Sequence, residues 1–238
     1  MDEAAALALV NFVFVFFFLP ETNVNKGLHI SSSSKESIPT RIVNVLSKPL
    51  IGTILAILFI MSLAFSAIPV IMPILGITLF GLKPDAMAFF FVYIGFVQIL
   101  FQGFAVGELA KRLGEEKMLV FGSLLMTISL FLMAFVPNIT VFLALTTIMV
   151  IGGGIVGTAV PSFISKKNPA NEQGSMLGVT QSVSSIARVP GPLIAGFVSD
   201  FAGITAPFFV SSFLLLVASI LGIRVYIKTK SSNLQQKI

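Results

Sequence analysis

The sequence predicts an all-α membrane protein with seven transmembrane helices, and three observations carry that expectation. Hydrophobic side chains make up 56% of the 238 residues and charged ones only 11%, where a soluble globular domain carries about 25% charged. Several uncharged runs are long enough to cross a bilayer, which takes about 20 apolar residues per helix. The basic residues also fall almost wholly on alternate loops, as they do in inserted membrane proteins. With no Cys and a single His, disulfides, thiolate nucleophiles and Cys-ligated metals are excluded. Twenty-four Phe against two Tyr suits a lipid-facing surface rather than a base-stacking one.

The elements follow in order. Residues 4–19 are uncharged and closed by Pro20, so 1–19 is expected to be a leading transmembrane helix. Asp2 and Glu3 stand where a signal peptide would carry Lys or Arg, and no small-residue cleavage site follows. Residues 20–49, with Ser31 to Ser34 and Lys26, Lys35, Arg41 and Lys48, read as a polar linker. The 33 uncharged residues from Leu50 to Leu82 are too long for one upright helix and too short for two. Pro69 and Pro73 therefore predict a helix over about 50–76 that kinks in its outer half. Further spans are expected at about 86–106, started by Pro84 and Asp85, and at 118–136. Pro137 and Asn138 make a turn, and Asn138 caps a span running to about 164. The last two spans are expected at 171–200 and 206–227, and 229–238 is a polar tail.

Sidedness follows from the basic residues. With the linker cytoplasmic, thirteen Lys and Arg lie on one side, Lys83 lies on the other, and Arg188 is left within a span. This asymmetry places the N-terminus outside and the C-terminus in the cytosol, and it accounts for the +5 net charge without nucleic acid.

Two stretches carry a family resemblance. GELAKRLGEEK at 107–117 sets Gly107, Leu109, Arg112 and Gly114 at the spacing of the loop signature Gly-x-Leu-x-Asp-Arg-x-Gly of the major facilitator superfamily. Lys111 stands in place of the signature Asp, and Glu115 and Glu116 stand where basic residues are common. Spacing alone equally allows a plain basic turn. Residues 161–198 resemble the tenth helix, cytoplasmic turn and eleventh helix of the drug:proton antiporter group, including tetracycline-resistance-type exporters. The matching residues are Pro161, Asn168-Pro169, Glu172-Gln173-Gly174, Gly178, Gln181, Ala187-Arg188, Gly191-Pro192 and Gly196. LVNFVFVFFFLPET resembles the end of that family's sixth helix, and 20–49 its central loop.

The resemblance implies a leading helix (family helix six), the central loop, and a six-helix major-facilitator half-bundle at 50–228, built from two inverted three-helix repeats. Helices one to five would have to come from a second polypeptide, or a homodimer would have to replace them. It further implies alternating-access transport of a small molecule, most like proton-coupled efflux of drugs or amphipathic compounds across the plasma membrane. The alternatives are a truncated or split-gene fragment without transport of its own, and a membrane interaction subunit. By the same resemblance Ser62, Phe65, Ser66, Thr146 and Met149 contact substrate.

The residues themselves add three features. Gln181, Ser185 and Arg188 fall at i, i+4, i+7, a stripe that reads either as part of a pathway or as a polar cluster holding helices together. Gln98 and Gln102 form a second polar pair, open to the same two readings. Gly191, Pro192 and Gly196 mark an expected helix bend. His29 has no partner at metal-ligand spacing. No P-loop and no Ser/His/Asp set is present, so neither an enzyme, a cofactor nor a metal is expected.

Overall fold

The computed structural model describes residues 2–18, 49–168 and 173–235, all helical apart from short joints. The 20–49 linker, except Pro49, lies outside the described residues, as does the turn at 169–172. The chain divides into two units, Met1–Ile38 and Pro39–Ile238. In the first, α1 (Asp2–Phe18) is a single apolar helix whose Phe12 and Phe16 rings stack at 6.3 Å.

The second unit holds six helical passes. The first is α2 (Pro49–Ser66) followed by α3 (Ile68–Phe80). Pro69 cannot donate to Phe65 and its ring collides with that carbonyl, so the break falls at Ala67, within the outer half where the prolines predict the kink. The pass also runs four residues beyond 76. It ends where Gly81 turns to φ 63°, with Gly81 N–H bonding Ile77 at 3.0 Å and Leu82 N–H bonding Gly76 at 3.2 Å. This is a Schellman cap, which needs the left-handed residue only glycine adopts freely.

The second pass is α4 (Pro84–Leu100), a π-helical turn (Phe101–Ala105) and α5 (Val106–Leu113). Pro84 opens it in the first turn and Asp85 follows, as expected. Gly114, at φ 75° and ψ 162°, turns the chain into α6 (Glu115–Met133). Next is α7 (Ile139–Lys167), capped by Asn138, whose Oδ1 accepts from the Val141 N–H at 3.0 Å. That cap gives the Asn138 side chain a structural role. Asn138→Ala is expected to cost about 1 kcal/mol, read as a lower midpoint of thermal unfolding in detergent, whereas Asn138→Ser leaves it nearly unchanged.

The fifth pass is broken into α8 (Gln173–Arg188) and α9 (Pro190–Ala202). The interruption lies at Val189–Pro190, just before the Gly191, Pro192 and Gly196 expected to make the bend. Pro190 and Pro192 leave the carbonyls of Ile186 and Arg188 without their helical N–H partners, and Val189 N–H turns in to Ile186 at 3.4 Å. The last helix, α10 (Ala206–Gln235), continues past 228 into the polar tail. Among the described residues five segments are long and apolar enough to span a membrane, Leu50–Phe80 among them despite its break; α1 is shorter and α8–α9 is split into two short helices.

The packing shows a symmetry that the sequence conceals. The first pass packs on the last through α2 and α10, and the third packs on the fourth through α6 and α7. The first also packs on the fifth through α2 and α8, and the second on the fourth through α4 and α7, while α6 and α10 pack on each other. Exchanging passes one, two and three with four, five and six leaves this set unchanged. Such a pattern is produced by two three-helix repeats related by a pseudo-two-fold axis.

Small residues set the closest approaches. A Cβ on Gly152 would lie 2.7 Å from the Gly122 carbonyl, and one on Gly122 would lie 2.9 Å from the Gly152 carbonyl. Ser219 Oγ donates to Ser123 Oγ at 2.9 Å between α10 and α6. At one end of the bundle Phe142 lies 5.1 Å from Phe90 and 5.5 Å from Phe80. The outward faces carry exposed rings, Phe104 being 82% exposed, which suits hydrocarbon as surroundings and not water. This is a multi-pass membrane protein.

Candidate functional site

One side of the half-bundle is hollow. A cavity of about 540 Å³ lies between α2, α3, α4, the π turn, α7 and α8, with Met126 of α6 also in its lining. Its wall is mostly apolar, with Phe65, Phe91, Met61, Met72 and Met149 among the lining side chains. The polar groups are Ser62, Gln98, Gln102, Thr158, Thr180, Gln181, Ser184 and Arg188. Among the described residues Arg188 is the sole charge of the lining. An Arg at a helix centre costs about 2.5 to 3.5 kcal/mol against lipid, and facing a cavity relieves that cost.

Local structure explains each placement. On α8, at 100° per residue, Thr180, Gln181, Ser184 and Arg188 fall within an arc of about 100°. Ser185 lies about 40° beyond that arc, and it is exposed outside the lining. The expected stripe was therefore rotated by about one position, and Ser184 takes the place assigned to Ser185. Ser184 Oγ and Ser62 Oγ are 2.8 Å apart in a buried hydrogen bond joining α8 to α2. A double-mutant cycle with Ser62→Ala and Ser184→Ala is expected to return a coupling of about 0.6 kcal/mol, below about 1.7, by unfolding equilibria in mixed micelles. A coupling of zero would remove this tie from the cavity wall.

Of the five residues assigned to substrate contact by resemblance, Ser62, Phe65 and Met149 line the cavity, and Ser66 and Thr146 do not. Ser66 sits at the end of α2, donates to the Leu63 carbonyl at 2.9 Å, and packs against Gly191 of α9. Thr146 is buried one turn nearer the start of α7, where it donates to the Phe142 carbonyl at 2.8 Å. Gln98 and Gln102 both line the cavity and are exposed. The π turn sets Gln102 against Gly154, where an added Cβ would lie 3.7 Å from the Gln102 Cγ. Such a turn re-aims the side chains after it and often marks functional sites; the 3.6-residue periodicity of the sequence carries no sign of it. Thr158 and Pro161 also line the cavity. The glycines at 152–154 and 157 lie on this same part of α7.

The loop motif lies at the end of the bundle, away from these groups. Leu109 packs on Val106, Met118, Ile155 and Ala159, Gly107 faces open space, and Arg112 Nε donates to Glu108 at 2.8 Å. Glu115, where the family signature runs basic, accepts from Lys166 Nζ and from Ser162 Oγ. That pair places the α5–α6 and α7 ends together, and Gly222 of α10 packs there on Leu119 and Val120. The basic clusters at 111–117, 166–167 and 224–228 thus share one end. Phe135 against Phe209 at 5.3 Å and Phe80 against Phe142 mark the other. Among the described residues no group of three His, Cys, Asp or Glu could hold a metal.

Comparison with known proteins gives a consistent result. The Major Facilitator Superfamily profile matches residues 4–192 and 80–237. The chain is 26% identical over 235 residues to Multidrug resistance protein 2 of Bacillus subtilis (strain 168), covering 97% of this chain and 57% of that protein. It is 30% identical over 182 residues to Multidrug resistance protein MdtG of Serratia proteamaculans (strain 568), with 75% and 44% covered. Against the class E tetracycline resistance protein of Escherichia coli it is 28% identical, with 82% and 48% covered. The chain therefore spans about half the length of these relatives. The solved human organic anion transporter MFSD10 (TETRAN) shares the fold at a TM-score of 0.66 and 22% identity, over 73% of this chain and 40% of that one.

Proposed function

Because the chain belongs to the major facilitator superfamily, we propose that it moves small amphipathic molecules across a membrane by alternating access, as the C-terminal half of a two-half transporter. The observation that carries this is the cavity: a trough of about 540 Å³ with a cation and three glutamines, on a molecule whose other faces are rich in exposed Phe. Polar groups at membrane depth must meet protein or water, and in this architecture a second half supplies both a facing wall and an aqueous path. The drug-efflux names of the relatives support export of amphipathic compounds. Proton coupling is part of the proposal; no Asp or Glu lines the cavity, so the titrating acid would lie in the facing half. A facing half, equivalent to helices one to five of the relatives, completes the site. The chain is not an enzyme and binds no nucleic acid.

Orientation completes the reading. The basic end faces the cytosol of a cell with the protein in its plasma membrane, leaving the N-terminus outside. Because the chain has no Cys, single cysteines report sidedness without background. In intact cells Lys83→Cys is expected to react with a membrane-impermeant maleimide and Lys117→Cys to react only after permeabilisation. The reverse pattern would invert the topology.

A further inference from the structure

We propose that the cavity selects amphipathic organic anions, with the Arg188 guanidinium holding a carboxylate or sulfonate and the Phe and Met wall holding the apolar body. This rests on the transport-site reading and names its substrate class. Three observations converge on it.

The first is charge. Among the described residues Arg188 is the one ionic group lining the cavity, and no acidic side chain faces it there. Among the described residues the ion pairs are Arg112–Glu108 and Lys166–Glu115, both at the basic end of the bundle. Asp200, the nearest acid along the same pass, lies twelve residues on, about 18 Å at 1.5 Å per residue. Arg188 closes α8, where helix carbonyls lend partial negative charge, but a partial charge is not a counter-ion.

The second is hydrogen bonding. The hydroxyls of the wall are already committed: Ser62 to Ser184, Thr158 to the Gly154 carbonyl and Thr180 to the Met176 carbonyl. Arg188 and the three glutamines bond no other described residue. The free polar capacity is therefore dominated by a planar fork of donors that carries a full charge, which matches two acceptor oxygens of an anion better than a neutral group.

The third is shape. The cavity has the volume of a small-molecule site, which runs from about 300 to 1,000 Å³. Its lining is apolar outside a few convergent polar groups. A ligand that fills it needs an apolar body and one anionic end.

The test uses two fluorescent probes with the same aromatic body, anilinonaphthalene sulfonate and the uncharged phenylnaphthylamine, titrated onto the purified full chain in nanodiscs. The sulfonate is expected to bind saturably and about tenfold tighter than the neutral probe, a factor within reach of one charged hydrogen-bonded contact. Arg188→Gln is expected to remove that preference, with its thermal unfolding midpoint checking that the variant is folded. Arg188→Lys, which keeps charge without the fork, is expected to retain part of it. Equal affinities for the two probes, or a preference that survives Arg188→Gln, would overturn the anion assignment alone. Absence of saturable binding by either probe would overturn the cavity reading with it. A preference that disappears when a second, transport-competent half is present would make Arg188 the partner's counter-ion instead and overturn the assignment as well.

Discussion

Gly152→Val is expected to separate α6 from α7 and to abolish the folded half-bundle in detergent. Even a single Cβ at this site would lie 2.7 Å from the Gly122 carbonyl and 2.8 Å from the Met126 Cγ. The first of these is backbone, so no rotamer change relieves the contact. Valine adds two methyls to that overlap and is stiff at χ1 in a helix. Overpacking of this kind costs about 1 to 3 kcal/mol, and in a membrane, where helices associate by close packing of small residues, little opposes their separation. Gly157→Ala on the same helix is the control, because nothing lies within 4 Å of its added Cβ; it should hold or slightly raise stability, since Ala is about 1 kcal/mol better than Gly in a helix. The check is the thermal unfolding midpoint of the purified variants. Equal midpoints for the two would show that α6 and α7 do not approach as closely as this.

Gly191→Ala is expected to act in the same way on the α2–α9 contact, with a partial rescue. The new Cβ would collide with the Ser66 Oγ and fall 2.7 Å from the Leu63 carbonyl. One obstacle is thus a removable side-chain atom and the other is backbone. The single variant should lose about 1 to 3 kcal/mol, and adding Ser66→Ala should recover part of it and not all. Gly196→Ala, which meets nothing within 4 Å, should be neutral. Recovery to full stability would assign the whole effect to Ser66, and no recovery would assign it to the carbonyl at Leu63.

The elements were legible where composition and end signals coincide. Uncharged length set the passes, Asn138 set the start of α7, and the Lys and Arg clusters marked the ends that the structure brings together. Prolines were legible as breaks: Pro69 breaks the first pass at Ala67, in the half of the helix that the prolines indicate, whereas Pro190 breaks the fifth pass just before the Gly191-Pro192 pair. The cavity was half legible. Arg188, Gln181, Gln98 and Gln102 stand out because polar groups within apolar runs are costly, so each has to face something. Ser184 was missed for Ser185 because spacing fixes a stripe and not the direction of the neighbouring helix. Thr146 and Ser66 mislead for a related reason: Ser and Thr can satisfy their hydroxyls on their own helix backbone, as these two do, and so mark no cavity. The π turn at Phe101–Ala105 and the pseudo-two-fold pairing of passes depend on contacts between distant segments, which no local pattern encodes.

The proposal that this cavity is one wall of a two-walled transport site meets its most direct test in a comparison of efflux rates. The chain would be reconstituted into liposomes at a dilution that keeps it monomeric, alone and fused behind the five preceding helices of the Bacillus subtilis relative. Loss of a preloaded amphipathic dye would be followed against its concentration. Saturable efflux from the fused protein with none from the monomeric chain is the expected result. Saturable efflux at the same rate from the monomeric chain alone would contradict it.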